Sequence, residues 1–406
     1  MISDMYCCDD NKIVLSGTDS LGFWISNTDT LYDRNFMIHT TYISYAEHSK
    51  LLGTNDIDNY IEYGGTLTLN RDYNTDSIST LAFSDPTQTE IYINTAICKN
   101  IQNSLELYKD SHEYSYIYEL YKYNELTNAI NRIIEDLSHR FIVDVIIRDF
   151  KSKELHTASS LLKNNPNPNE RIDFINEIDE TKVTQEYMDA LTIINLPNQK
   201  VKITENHLKQ IKDFLKHLDL IADLEIARVN LRKSTLTYDN YDLITQPGLI
   251  YSQVINLIDS LNKDEKFESL SSELRNISIT KIKTDVLGRL LEDIVILDCK
   301  HKLLNNRGIE IFQINFGIGE FDMVIWDHSD EDNKKCYLYE IKHSDKRVEH
   351  QARHLLNNTF LDYMTNEFGT IVKRCVLYRG EDFTTEDGIE YKNVCEFLKK
   401  DLILDN

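Results

Sequence analysis

Apolar and polar positions alternate with period two in two stretches of the C-terminal third. Residues 316 to 356 read as a strand, an acidic turn, a second strand and a helix beginning near Ser344. In the second strand Cys336, Leu338, Glu340 and Lys342 share one face, and Tyr337, Tyr339, Ile341 and His343 share the other. The same period aligns Glu320, Asp322 and Val324 in the first strand. A hairpin through the polar turn Asp327 to Lys335 then brings Asp322 close to Glu340, so two carboxylates and an amine are expected to converge from within apolar runs.

Around this hairpin the pattern predicts a helix over Val286 to Asp298 carrying Glu292, a strand over Ile371 to Tyr378 and a closing helix from Val394 to Leu402. Helix, mixed strands, helix and strand is the order of an α/β sandwich. Farther upstream, Lys12 to Ser16 is a short apolar strand running into the turn Gly17 to Ser20, and residues 101 to 160 are helical, with Ile130, Ile133, Ile134, Leu137 and Phe141 as core. Leu161 to Phe174, with Pro166 and Pro168 among four asparagines, reads as a linker. Between 184 and 255 a helix with the stripe Leu208, Ile211, Leu215 and Leu218 precedes strand-like segments, an order similar to a winged helix. Its outer lysines, Lys209, Lys212 and Lys216, are offset by Glu205, Asp213, Asp219, Asp223 and Glu225, so that face is read as solvated or protein-contacting before DNA-contacting. The tyrosines from Tyr114 to Tyr123 are read as packing residues, as is Trp326.

At 406 residues the chain exceeds a single core and predicts about two to four modules. Hydrophobic content of 41% with 10% aromatics is enough to fill globular cores and excludes a disordered class. The net charge of −23 argues against broad adhesion to nucleic acid or anionic membrane, so any basic track must be local. Seven scattered cysteines without a CxxC or Cys/His cluster fit reduced thiols, and no apolar run reaches membrane-spanning length. A cytoplasmic protein without a membrane partner is expected.

Two adjacent carboxylates repel unless a cation neutralises them, and hard oxygen ligands favour Mg²⁺. A neighbouring lysine suits either the charge developing on a phosphate under attack or the activation of water. Asp322, followed after a loop by Glu340-Ile341-Lys342, resembles the PD-(D/E)xK nuclease superfamily. The resemblance implies a restriction-endonuclease-like domain in which Asp322 and Glu340 hold Mg²⁺ and Lys342 acts on the nucleophile or the transition-state charge. It also matches Glu292 to the helix-borne acid that supports metal or water, and Gln351 to a polar residue orienting the site. Phe321, not proline, precedes Asp322.

The N-terminal run KIVLSGTDSLGFW with LYDRNFMIHTTYISYAEH resembles the late part of an AAA+ ATPase core found in a bacterial and archaeal family often fused to nuclease-like domains. That resemblance implies a γ-phosphate-sensing turn at Ser16 to Ser20, a nucleotide or subunit contact at Arg34, and a lid containing Tyr63 to Thr66 and Thr95 to Asn103. No GxxxxGK[ST] occurs in the 406 residues, so ATP is not expected to be bound or hydrolysed by this chain without a partner. A companion P-loop ATPase chain or a homo-oligomer is the implied partner.

The expected architecture is multidomain α/β: a remnant AAA+ core (1–50), a helical lid (51–163), a winged-helix-like domain (168–268) and a PD-(D/E)xK nuclease-like domain (270–406). The expected function is Mg²⁺-dependent DNA endonuclease chemistry in an ATPase-family protein lacking the P-loop. The alternative is a non-catalytic protein-interaction or ATPase-partner module retaining the nuclease fold.

Overall fold

The computed structural model describes residues 42–64, 115–126, 128–130, 133–134, 201, 203–233, 235–262, 271–304, 306–400 and 402. The strand and turn expected at 12–20, Arg34, the lid segment 95–103 and the Pro166/Pro168 linker lie outside these residues.

The described chain is mixed α/β and centred on an eight-stranded sheet. Its strands are β1 (Ile221–Asn230), β2 (Thr235–Ile244), β3 (Ile309–Asn315), β4 (Glu320–Asp327), β5 (Lys335–Ile341), β6 (Thr370–Tyr378), β7 (Phe383–Thr384) and β8 (Glu390–Asn393), in the spatial order β2-β1-β3-β4-β5-β6-β8-β7. The β1/β2 pair is an antiparallel hairpin, and β1 runs parallel to β3 over Glu225 to Arg228. One sheet therefore runs across the expected boundary near residue 269.

Helices flank both faces. The helices are α1 (Tyr45–Leu52), α2 (Ile57–Tyr63), α3 (Ser115–Lys122), α4 (Glu205–His217), α5 (Pro247–Leu261), α6 (Ser272–Leu303), α7 (Asn358–Phe368) and α8 (Val394–Lys399). On one side of the sheet Met323, Ile325, Tyr337, Tyr339, Ile341 and Leu377 pack with Leu290, Leu291 and Val295 of α6, and this core extends to Tyr45 of α1, Ile61 of α2 and Leu398 of α8. On the other side Phe312, Val324, Leu338 and Val376 meet Phe360, Met364 and Phe368 of α7. The β5 residues divide between these two cores as their alternation predicts, because a pleated strand sends successive side chains to opposite faces. The hairpin through 327–335 also forms, with Asp327 opposite Lys335.

Local sequence explains several ends. Ser44 caps α1 through a reciprocal pair with Glu47, and Asn357 caps α7 by accepting from the N–H groups of Thr359 and Phe360. The C-cap of α7 is Gly369 at φ +95°, where an added Cβ would fall 2.3 Å from the Lys334 carbonyl oxygen, so only glycine fits. On α4, Lys212 and Lys216 are not free in solvent: they bond Asp242 and Asp223 of the hairpin at 2.6 Å each and hold the helix against it. Trp326 packs edge-on against Phe368 at 5.4 Å. Among the described residues no helix is long and apolar enough to cross a membrane.

α1 buries His48 completely, edge-on to Tyr60 at 5.2 Å, with neither ring nitrogen hydrogen-bonded. Burial lowers its pKa from the usual value, because the imidazolium cannot be solvated there. A histidine lowered by folding leaves stability intact above its unfolded pKa of about 6.5, and stability falls as pH drops below that point. Thermal melts from about pH 8 to about pH 5 should therefore show a loss of stability that His48→Phe reduces, and parallel curves for the two proteins would refute this.

Candidate active site

The site lies where β4 and β5 run side by side. Opposite β3, β4 contains an extra residue: Phe312 faces Val324 and Ile314 faces Phe321, two steps on β3 against three on β4. This bulge falls at Asp322 and Met323. It places Phe321 in the same core as Val324, which strict alternation of Glu320, Asp322 and Val324 does not predict. Asp322 reaches across to β5, where its Oδ2 accepts the Ile341 N–H at 2.7 Å.

Lys342 follows directly after β5, and its Nζ lies 2.6 Å from Asp322 Oδ2 and 2.7 Å from Glu340 Oε2. The expected convergence of Asp322, Glu340 and Lys342 is present. The two acid side chains are 4% and 2% exposed, whereas that of Lys342 is 30% exposed, making the lysine the member that meets solvent. Burial alone would lower the Lys342 pKa, but the facing charges of Asp322, Glu340 and Glu292 outweigh it and hold the ammonium well above the usual lysine value. Burial pushes the Glu340 carboxyl up, with the Asp322 charge adding to that, while Lys342 and His354 act in the opposite direction.

Glu292 comes from α6 on the opposite core. Its Oε2 pairs with Arg289 Nη1 at 2.9 Å, and Arg289 also contacts Asp293 at 3.4 Å and donates to Gln313 Oε1 on β3 at 3.4 Å. Burial would lower the Arg289 guanidinium, but the charges of Asp293 and Glu292 reverse this. Glu292 thus acts on Lys342 through its charge while Arg289 holds its carboxylate.

Gln351 does not face the acids. The segment after Lys342 is an extended loop with one 3₁₀ turn, Glu349–Ala352, and helix begins only at Asn358, not near Ser344. Gln351 accepts the Val348 N–H at 3.0 Å and donates to the Lys346 carbonyl at 3.1 Å, bracing that loop. His354, three residues farther on, makes the contact with the acids instead: its Nδ1 lies 3.0 Å from Glu340 Oε1. Sequence reasoning missed it because a continuous helix and a 3₁₀ turn followed by further turns aim successive residues differently. Arg34 lies outside the described residues.

Beyond the triad, His343 Nε2 bonds Asp58 Oδ1 of α2 at 2.5 Å, and Arg379 Nη1 bonds Asp58 Oδ2 at 2.5 Å. Burial would raise the Asp58 carboxyl, but His343 and Arg379 outweigh it and keep it below the usual value. The N-terminal helices are thereby tied to the residue next to Lys342.

The hard-oxygen donors Asp322 and Glu340 suit Mg²⁺, which binds through one or two carboxylates and completes its shell with water and substrate phosphate. One oxygen of each already bonds a cation, the Lys342 ammonium, at 2.6 and 2.7 Å. Among the described residues no group of three or more His, Cys, Asp or Glu side chains gathers as a cage. No protein-family model matches the chain, and neither curated proteins nor solved structures yield a match.

Proposed function

We propose that the C-terminal part of this chain is a Mg²⁺-dependent DNA endonuclease of the PD-(D/E)xK type, with a restriction-endonuclease-like arrangement, in an ATPase-family protein that lacks the P-loop. The observation that carries this reading is the meeting of Asp322, Glu340 and Lys342 where β4, bulged against β3, runs beside β5. Asp322 and Glu340 would hold the metal. When bound, Mg²⁺ supplies Lewis-acid polarisation of the phosphodiester and a lowered pKa for attacking water. Lys342, at the solvent side of the pair, donates to a phosphate oxygen as negative charge builds. Arg289 and Glu292 keep the electrostatic field around that lysine fixed, and His354 and the Ile341 N–H orient the carboxylates. DNA is the substrate in this reading, a companion P-loop chain or further copies of this chain supply any nucleotide chemistry, and the setting is cytoplasmic.

The test is a cleavage assay with the folded protein and Mg²⁺ or Mn²⁺ on single-stranded, duplex and branched DNA. Asp322→Asn is expected to lower cleavage by about 10³-fold or more while leaving the fold intact. Absence of metal-dependent cleavage by the wild type on every substrate would remove the enzymatic reading.

One observation favours a second reading. The ammonium of Lys342 already bonds one oxygen of each carboxylate, so the three side chains pair within the protein and can serve as a structural core. On that reading the chain is a non-catalytic partner module that joins ATPase subunits, and inactive wild-type protein that co-purifies with a P-loop ATPase would support it.

A further inference from the structure

The imidazole of His354 is held on three sides. Nδ1 lies 3.0 Å from Glu340 Oε1, and Arg353 Nε donates to Nε2 at 3.0 Å. The third side is the backbone of Gly319, where an added Cβ would stand 3.0 Å from both Cδ2 and Nε2 of the ring and 2.8 Å from Phe360 Cε2. The ring is only 15% exposed.

These contacts determine where the ring proton sits. A guanidinium has N–H donors and no acceptor, so Nε2, which receives Arg353 Nε–H, must offer its lone pair. The proton of the ring is then on Nδ1 and points at Glu340 Oε1. The other Glu340 oxygen, Oε2, is engaged by Lys342 at 2.7 Å. Each oxygen of a buried carboxylate has one assigned donor, which fixes the carboxylate plane and leaves a second lone pair on each oxygen. A ligating carboxylate needs such outer partners, whose loss typically weakens metal binding by about 10- to 100-fold.

We propose that His354, held as the Nδ1–H tautomer by Arg353 and the Gly319 backbone, is a positioning residue that orients Glu340 to bind a divalent cation. The proposal rests on the metal-site reading above. It differs from a packing role in a checkable way, because only the Nδ1–H is needed. An asparagine at 354 presents its amide N–H₂ near the place of Nδ1, whereas a glutamine presents its amide near the place of Nε2.

The experiment uses the full chain and two readouts. Nitrogen-15 shifts of the His354 ring report the tautomer without any metal. Mn²⁺ affinity, measured by titration without DNA, compares the wild type with His354→Asn, His354→Gln and His354→Ala. The expected result is an Nδ1–H ring, near-wild-type Mn²⁺ affinity for His354→Asn, and affinity weakened about 10- to 100-fold for the glutamine and alanine variants. An Nε2–H ring, or equal weakening in the asparagine and glutamine variants of matching thermal stability, overturns the proposal. If the wild type shows an Nδ1–H ring but binds no Mn²⁺, the positioning role and the metal site both fall, and the tautomer assignment alone stands. If Mn²⁺ binds and DNA is cut with equal affinity in all variants, the nuclease reading stands and the positioning role falls.

Discussion

Lys342→Met is expected to destabilise the fold by about 3–5 kcal/mol, because it removes the ammonium that lies within salt-bridge distance of both Asp322 and Glu340 and leaves two buried carboxylates near each other without it. Methionine keeps the length and apolar character of the lysine stem, so the loss reports the charge and not the packing. The check is urea unfolding of the variant alongside Lys342→Met/Glu340→Gln. In the Lys342→Met background the added glutamine should restore much of the stability, since it removes one of the two neighbouring negative charges, although Glu340→Gln alone should weaken the native protein. That reversal of sign is the signature of a coupled pair. Equal stability of Lys342→Met and the wild type would mean that the ammonium does not hold these acids together.

Phe360→Ala is expected to cost a similar amount, about 3–5 kcal/mol, for a different reason. Phe360 is 1% exposed and lies stacked on Phe316 at 4.2 Å with an interplanar angle of 8°, edge-on to Phe321 at 6.1 Å. Truncation leaves a cavity bounded by the β3–β4 turn, which cannot close without moving Gly319 and the slot of His354. Phe360→Leu keeps most of the volume and should lose about 1–2 kcal/mol. Denaturant midpoints with an unchanged slope would show that the effect is on stability and not on the extent of unfolding. A loss of less than about 1 kcal/mol for Phe360→Ala would show that α7 does not depend on this stack.

Much of the β4–β5 hairpin was legible in the residues. Period-two alternation in Cys336 to Ile341 assigned each side chain to one of two cores, and the polar run Asp327 to Lys335 placed the turn, so Asp322 met Glu340 and Lys342. These are local properties: a strand buried on both faces needs its register, and a slip of one residue would send Glu340 into the opposite core. The β-bulge was not legible, because an extra residue in β4 depends on where β3 pairs with it. Gln351 was misplaced for a related reason. Val348, Ala352 and Leu355 have helical spacing, but the chain from Lys342 to Asn357 is extended and then turns, since Lys342 must stay beside the acids and Gln351 instead closes the loop onto Lys346.

The lysines of α4 show the same division. Their spacing marked one helix face, and charges of both signs nearby suggested a solvated surface. Which acids they would meet was decided by the β1–β2 hairpin folding back under the helix, where Asp223 and Asp242 sit. Asp58 is a sharper case: it lies 285 residues from His343 and 321 from Arg379, and nothing within any window of sequence links them.

By itself, the amino-acid sequence determined the α/β class, the acidic balance of the chain, the strand faces of the β4–β5 hairpin and the identity of Asp322, Glu340 and Lys342 as a converging set. Those follow from side-chain period and turn chemistry, which act over a few residues. Only the tertiary structure decided that β1 and β2 join the same sheet, that a bulge turns Asp322 toward the Ile341 N–H, and that His354 rather than Gln351 bonds Glu340. Each of these depends on pairing or packing between segments distant in the chain, where register and loop path, not local propensity, determine which polar atoms meet.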